Sequence, residues 1–226
     1  MQILPYDPRI ETIWSTPNPM EVVTRACSTT QKGIYSKGGT PTPALIQFLY
    51  DADHGNPLEH AVICLDITQI SRACADQLRT HRTCSPTMSS THYQEHSDHP
   101  HRVALGTESI HNTHNDALQT LMSEYQWMIH NGIPKEDARQ YLPLSIEVRY
   151  MLTINARSLA HMLRLRMCYR NTVETVLCAE RMHSAAMLWF PELFNYVMKP
   201  CAEDRCREGR MACDYTAVQE RVMQYD

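Results

Sequence analysis

An α+β fold is predicted for this chain of 226 residues, and three observations carry the prediction. Two apolar, β-branched runs, His60–Ile70 and Leu142–Ile154, alternate irregularly with long helical patterns. Apolar residues make up 43% and charged residues 20%, the balance of a soluble globular domain with a sizeable core, here taken as one domain over 1–226. The seven glycines include no glycine-rich phosphate loop, which argues against a Rossmann or P-loop nucleotide site.

Residues 1–20 carry several prolines and read as an extended or irregular start with room for an early strand. Glu21–Ser28 fits a short helix or strand, and Lys32–Thr42 is a turn-rich connector. Pro43–Ala52 has apolar residues at helical spacing behind an opening proline. His60–Ile70 then reads as a mostly buried strand. Ser71–Leu78 starts a helix with Ser71 as N-cap. Arg102–Asn112 suggests a short strand and loop. Asp116–His130 is an amphipathic helix with Leu118, Leu121, Met122, Tyr125 and Ile129 on its apolar stripe. Gly132 stops it, and Pro134 opens a short helix carrying Arg139. After the Leu142–Ile154 strand, Asn155 or Ser158 caps one long helix running to about Trp189. The tail from about 191 is expected to be irregular.

Net charge is −4, so binding of a nucleic acid polymer through bulk electrostatics is not indicated, and any anion site must come from local clustering. The start Met1-Gln2-Ile3-Leu4-Pro5 lacks a secretory pattern, and no apolar run has the length of a membrane span. A cytoplasmic protein without membrane contact is the expectation. The nine cysteines are odd in number and scattered, which suits free thiols in a reducing compartment. Cys201, Cys206 and Cys213 have irregular spacing for a zinc site, and no metal is assigned.

One stretch breaks the apolar pattern. Gln77–Tyr93 packs Gln77, Arg79, His81 and Arg82 into six residues, then a run of hydroxyls, then His92-Tyr93. Forked and in-line donors of this kind suit an anionic, polar ligand, although a solvated surface loop also accounts for them. A second segment, Asn155–Arg166, sets Arg157 and His161 four apart on one helix face, with Arg166 about half a turn out of phase. That pattern suits a helix lined by ligands. Arginines snorkelling over Leu159, Met162, Leu163 and Leu165 are the plainer account.

The motifs HGNPLEH (His54–His60), QLRTHRTCSPTMSSTHY (Gln77–Tyr93) and NARSLAHMLRLR (Asn155–Arg166), in this order and spacing, resemble the flavin-dependent thymidylate synthases. The signature of that family is R-H-R, seven residues, then S. Thr80, His81, Arg82 and Ser90 occupy the corresponding positions. The resemblance implies a mixed sheet with long helices, a homotetramer, and FAD in clefts shared between subunits. It implies that Asn56, Thr80, His81, Arg82, Asn155, Arg157 and His161 hold FAD. It places Gln77, Arg79, Met88, Ser89, Ser90, Thr91, His92 and Arg139 around a uridine monophosphate. Arg166 would be the catalytic contact to the uracil, favouring its N3-deprotonated form. NADPH and methylenetetrahydrofolate would be the co-substrates.

Departures from the family pattern cluster. Thr80 stands for an arginine, Met88 for a glutamate and His92 for an arginine. The losses remove two permanent cations and one anion near the nucleotide. A variant motif of this kind resembles the UMP/dUMP methylase of polyoxin-type nucleoside antibiotic pathways. Altered substrate choice, UMP alongside dUMP, is therefore expected. The alternatives are a standard dUMP-specific synthase for DNA precursors and a decayed, non-catalytic flavin- or nucleotide-binding paralogue. A zinc peptidase using His92, Glu95 and His96 in an H-x-x-E-H motif is a further alternative. It needs a helix there, which Pro100 disfavours.

Overall fold

The computed structural model describes residues 2–30, 42–104, 108–199, 201, 206 and 208–225. The predicted connector Lys32–Thr42 lies outside them except for Thr42. Its Oγ1 accepts from Leu45 N and caps the helix that follows.

Four strands form an antiparallel sheet in the order β2 (Arg9–Ser15), β3 (Val62–Ser71), β6 (Glu147–Asn155), β4 (Cys84–Met88). A separate parallel pair joins β1 (Ile3–Pro5) to β5 (His101–Val103). β3 is central and buried on both faces, which is why His60–Ile70 reads as an almost unbroken apolar run. β6 alternates: Val148, Tyr150, Leu152 and Ile154 point to the core, and Arg149 and Met151 away from it. It begins at Glu147, so the first residues of the predicted Leu142–Ile154 strand lie outside the sheet.

Cys84–Met88, which lacks apolar alternation and reads as loop, is an edge strand on β6. Its mid-strand Pro86, paired with Leu152, fits an edge, where a missing N–H leaves no broken ladder on the open side. The solvated edge also removes the requirement for apolar alternation.

Helices α1 (Pro19–Thr30), α2 (Pro43–Asp51) and α3 (Arg72–Arg79) precede α4 (Glu108–His130) and α5 (Lys135–Ala138). Thus Glu21–Ser28 is helix, and α4 starts within the Arg102–Asn112 stretch predicted as strand and loop. Leu118, Met122 and Tyr125 form its buried stripe, whereas Leu121 is exposed.

The predicted long helix from Asn155 is two helices, α6 (Ala156–Arg166) and α7 (Val173–Trp189). The break has a polar cause. Asn171 Nδ2 donates to the carbonyls of Leu165 and Cys168 at 2.8 and 2.9 Å, closing α6. Thr172 then opens α7, accepting from Thr175 N. The tail is not irregular throughout: it holds α8 (Pro191–Phe194), a 3₁₀ turn at Gly209–Met211 and α9 (Tyr215–Met223).

One core joins the sheet to α3, α6, α7 and α8 through Leu65, Ile67, Leu78, Tyr150, Leu159, Leu163, Met182 and Phe194. Full burial of each large apolar side chain contributes about 1.5–3 kcal/mol. Among the described residues no helix is long and apolar enough to cross a membrane, and no disulfide joins their cysteines.

Candidate functional site

Two helices that each grow directly from a strand build the site. β3 ends at Ser71, whose hydroxyl accepts from Cys74 N and caps α3. The buried Glu174 carboxylate on α7 accepts from Ser71 N at 2.6 Å and from Ser71 Oγ at 2.5 Å. Burial raises the Glu174 pKa, and these two bonds oppose the rise. α3 is thereby fixed at its start and delivers Gln77, Arg79 and Thr80 at its end.

β6 ends at Asn155, whose Oδ1 accepts from Ser158 N at 2.8 Å and caps α6. Over eleven residues, about 16 Å, α6 carries the chain back to the end of α3. Its last residue, Arg166, meets α3 there. Arg166 Nε donates to His81 Nε2 at 3.1 Å, and Nη2 to Thr80 Oγ1 at 2.6 Å. Nη1 donates to Gln77 Oε1 at 3.2 Å and to Asn171 Oδ1 at 3.3 Å. Thr80 Oγ1 also donates to Gln77 O at 2.8 Å. Burial lowers the Arg166 pKa, but a guanidinium remains charged.

His81 sits between Arg166 and His161, its ring centroid 6.1 Å from that of His161. Burial first, then the Arg166 charge, then His161 hold its pKa down to about 4. Its Nε2 accepts, so the proton of the neutral ring is on Nδ1.

The opposite phase of α6 carries Arg157. Its Nη1 donates to Glu59 at 2.7 Å and its Nη2 to Asp53 at 3.2 Å. The side chain lies across Gly55, where an added Cβ would stand 2.8 Å from Arg157 Nε. Asn56, next in the chain, is exposed at the start of a 3₁₀ turn. The half-turn offset between Arg157 and Arg166 therefore separates two sets of partners.

The loop after β4 is pinned to β6: Ser89 N donates to Arg149 O, and Arg149 N to Ser89 Oγ, both at 3.0 Å. Ser90 Oγ accepts from His92 N and Tyr93 N, and the His92 ring stands edge-on to Tyr93 at 4.4 Å. Thr91 is half-buried between them, and Met88 ends the strand. The loop is tied further by His96. Its Nε2 lies 3.4 Å from Ser90 O, and its backbone N donates to Tyr125 Oη on α4.

The structure thus gathers Gln77, Thr80, His81 and Arg166 into one cluster, with His161 beside it. Arg79 pairs with Asp76 at 3.4 Å. Arg82 is exposed without an ion-pair or hydrogen-bond partner among the described residues. Arg139 is exposed and bonds the Glu136 carbonyl, and among the described residues it has no bond to the cluster. His92–His96 is turn and bend rather than helix, so the H-x-x-E-H arrangement does not form. Among the described residues no three His, Cys, Asp or Glu side chains are placed to hold a metal.

Asn171, Glu174 and His96 were not legible as site residues. Only the offset of five residues from Arg166 hints at Asn171. His96 is singled out by the sequence only as part of the H-x-x-E-H motif, not as a tie of the loop, and nothing in the sequence hints at Glu174, whose partner Ser71 lies 103 residues away.

Residues 11–192 match the family model of the thymidylate synthase complementing proteins. A flavin-dependent thymidylate synthase of Geobacter sulfurreducens is 32% identical over 184 residues, 79% of each chain. One of Clostridium tetani is 26% identical over 243 residues, 95% of this chain and 96% of the relative. Among solved structures, the UMP/dUMP methylase PolB of Streptomyces cacaoi, bound with 5-Br dUMP, superposes with a TM-score of 0.76 at 25% identity. It covers 91% of this chain and 99% of that one. With these matches and the Arg166 cluster in place, the chain belongs to the thymidylate synthase complementing protein family and is a methyltransferase of the flavin-dependent thymidylate synthase type.

Proposed function

We propose that this protein methylates C5 of uridine monophosphates, UMP as well as dUMP, as a homotetramer that binds FAD and uses NADPH and methylenetetrahydrofolate. The observation that carries the reading is the placement of Arg166. Its charge sits beside Gln77, Thr80 and His81 with no carboxylate bonded to it among the described residues. A cation close to a titrating N–H lowers its pKa by stabilising the anion. Arg166 set against uracil N3 would hold the ring in the form that accepts a hydride at C6. Reduced FAD, when bound, supplies that hydride.

The residues fit such a cofactor by their donor chemistry. Asn56, His81, Arg82, Asn155, Arg157 and His161 are all exposed or half-buried donors. Arg82 keeps its charge unpaired among the described residues, as a diphosphate requires. Gln77, Arg79 and the Met88–His92 loop would hold the nucleotide. Arg139 would serve it too, from a neighbouring subunit, since it stands apart from the cluster within one chain. Met88 and His92 in place of a charged pair, together with the likeness to a UMP/dUMP methylase, support acceptance of the ribonucleotide and a role in nucleoside antibiotic synthesis.

The deciding experiment is tritium release from C5-labelled UMP and dUMP by the purified yellow protein, given NADPH and methylenetetrahydrofolate. Release from both supports the reading. Release from dUMP alone identifies an ordinary thymidylate synthase. Flavin binding without release from either identifies a non-catalytic paralogue.

A further inference from the structure

Asn171 stands in the turn between α6 and α7 and uses both ends of its side-chain amide. Nδ2 faces two carbonyls, those of Leu165 and Cys168, and Oδ1 faces Arg166 Nη1 at 3.3 Å. That pattern sets the amide orientation, since only the NH₂ end can satisfy two carbonyls. One half-buried side chain therefore closes the C-terminus of α6 and holds the guanidinium that α6 carries in its last turn.

Among the described residues the other three partners of Arg166 are Thr80 Oγ1, neutral His81 Nε2 and Gln77 Oε1. All four acceptors are uncharged. Arg157, Arg149 and Arg102 are each paired with a carboxylate, whereas Arg164, on the same helix, also bonds a neutral acceptor, the Tyr196 carbonyl. A guanidinium held only by neutral dipoles is fixed in place but keeps its field for a ligand, whereas an ion pair spends that field inside the protein.

We propose that Asn171 is a positioning residue for uridylate methylation, holding Arg166 against the pyrimidine without neutralising it. The proposal rests on the uridylate reading given above. It accounts for an amide rather than a carboxylate at this position. Aspartate would pair with Arg166 and would lose both N–H bonds to the end of α6.

The test compares wild type, Asn171→Asp and Asn171→Ala as full-length, FAD-loaded protein, through the pH dependence of kcat for UMP and dUMP, which reports groups titrating in the enzyme–substrate complex. Flavin absorbance and Tm are recorded for each. Asn171→Asp is expected to lower kcat at pH 7 about tenfold and to move the acid limb of the kcat profile up by about one pH unit, because the bound uracil anion loses stabilisation. Asn171→Ala is expected to lower kcat several-fold, with the acid limb unmoved. Should Asn171→Asp fail to fold, Gln77→Glu puts a carboxylate on another of the four partners without touching the turn. It is expected to shift the limb the same way. An unmoved limb in the carboxylate variant, or equal shifts in Asn171→Asp and Asn171→Ala, would overturn the proposal while leaving wild-type turnover intact. Absence of turnover by wild type would instead sink the uridylate reading, and the proposal with it.

Discussion

Arg166 Nε donates to His81 Nε2 across 3.1 Å, and the bond runs in one direction only. The guanidinium has no lone pair to offer, so His81 must be neutral. Burial and the neighbouring charge keep it so, holding its pKa to about 4. The end of α6 and the end of α3 are thus joined by a bond that acid would break.

A pH dependence of stability follows. A histidine whose folded pKa is depressed refuses a proton that the unfolded chain accepts. Between about 4 and 6.5 the unfolded state binds more protons, so this term makes stability rise with pH and is complete above 6.5. His101, fully buried with its pKa also near 4, acts in the same sense. Glu174, raised by burial, acts in the opposite sense above 4.5. The difference between variant and wild type isolates the histidines. Replacing His101 by Gln is expected to reduce the fall in Tm between pH 7.5 and pH 5. An unchanged fall would show that His101 titrates normally.

Removing the Arg166 guanidinium should separate chemistry from cofactor retention. Arg166→Ala is expected to lower methyl transfer by about 10²–10³-fold, the usual cost of losing one preorganised electrostatic contact. Arg166 stands about half a turn out of phase with Arg157 and shares none of its partners, so most of the bound flavin should persist even though Arg166 bonds Thr80 and His81, two of the expected flavin contacts. Flavin absorbance and tritium release measured on one preparation check this. Equal loss of both would contradict separate roles for the two phases of α6.

Gly55 tests the other phase. A Cβ there would meet Arg157 Nε at 2.8 Å and Cδ at 2.9 Å, so the side chain must leave its place between Asp53 and Glu59. Those ion pairs are exposed and contribute little to stability. Gly55→Ala is therefore expected to release flavin on gel filtration while changing stability by about 1 kcal/mol or less. Full flavin occupancy would remove Arg157 from the cofactor site.

Glu174 holds the start of α3 from a distance of 103 residues. Its carboxylate accepts two bonds from Ser71, and an amide would turn one acceptor into a donor facing a donor. Glu174→Gln is expected to cost about 2–3 kcal/mol in urea unfolding, the price of leaving a buried polar group unmatched. A loss below 0.5 kcal/mol, within the range of ordinary surface changes, would show that α3 is positioned without it.

Local chemistry made much of this protein readable from its sequence. The central strand announced itself by continuous apolar residues, the caps Ser71 and Asn155 by hydroxyl or amide side chains ahead of helical runs, and the opposed phases of Arg157 and Arg166 by helical arithmetic. Gln77 and His81 were candidates because polar residues interrupt an apolar pattern there, and Thr80 only through the family signature. Three features were decided only by the folded chain. Cys84–Met88 became a strand because β6 offered an edge, and edge pairing demands no apolar signature. The helix after Asn155 broke at 167–172 because one amide found two carbonyls, a preference that propensity does not encode. Arg166 acquired neutral partners from residues up to 89 positions away. The sequence thus determined which groups could bind an anion. The tertiary structure determined that Arg166 is held by neutral acceptors among the described residues, because that depends on what stands within about 3 Å of it, and sequence spacing sets such distances only within one helix.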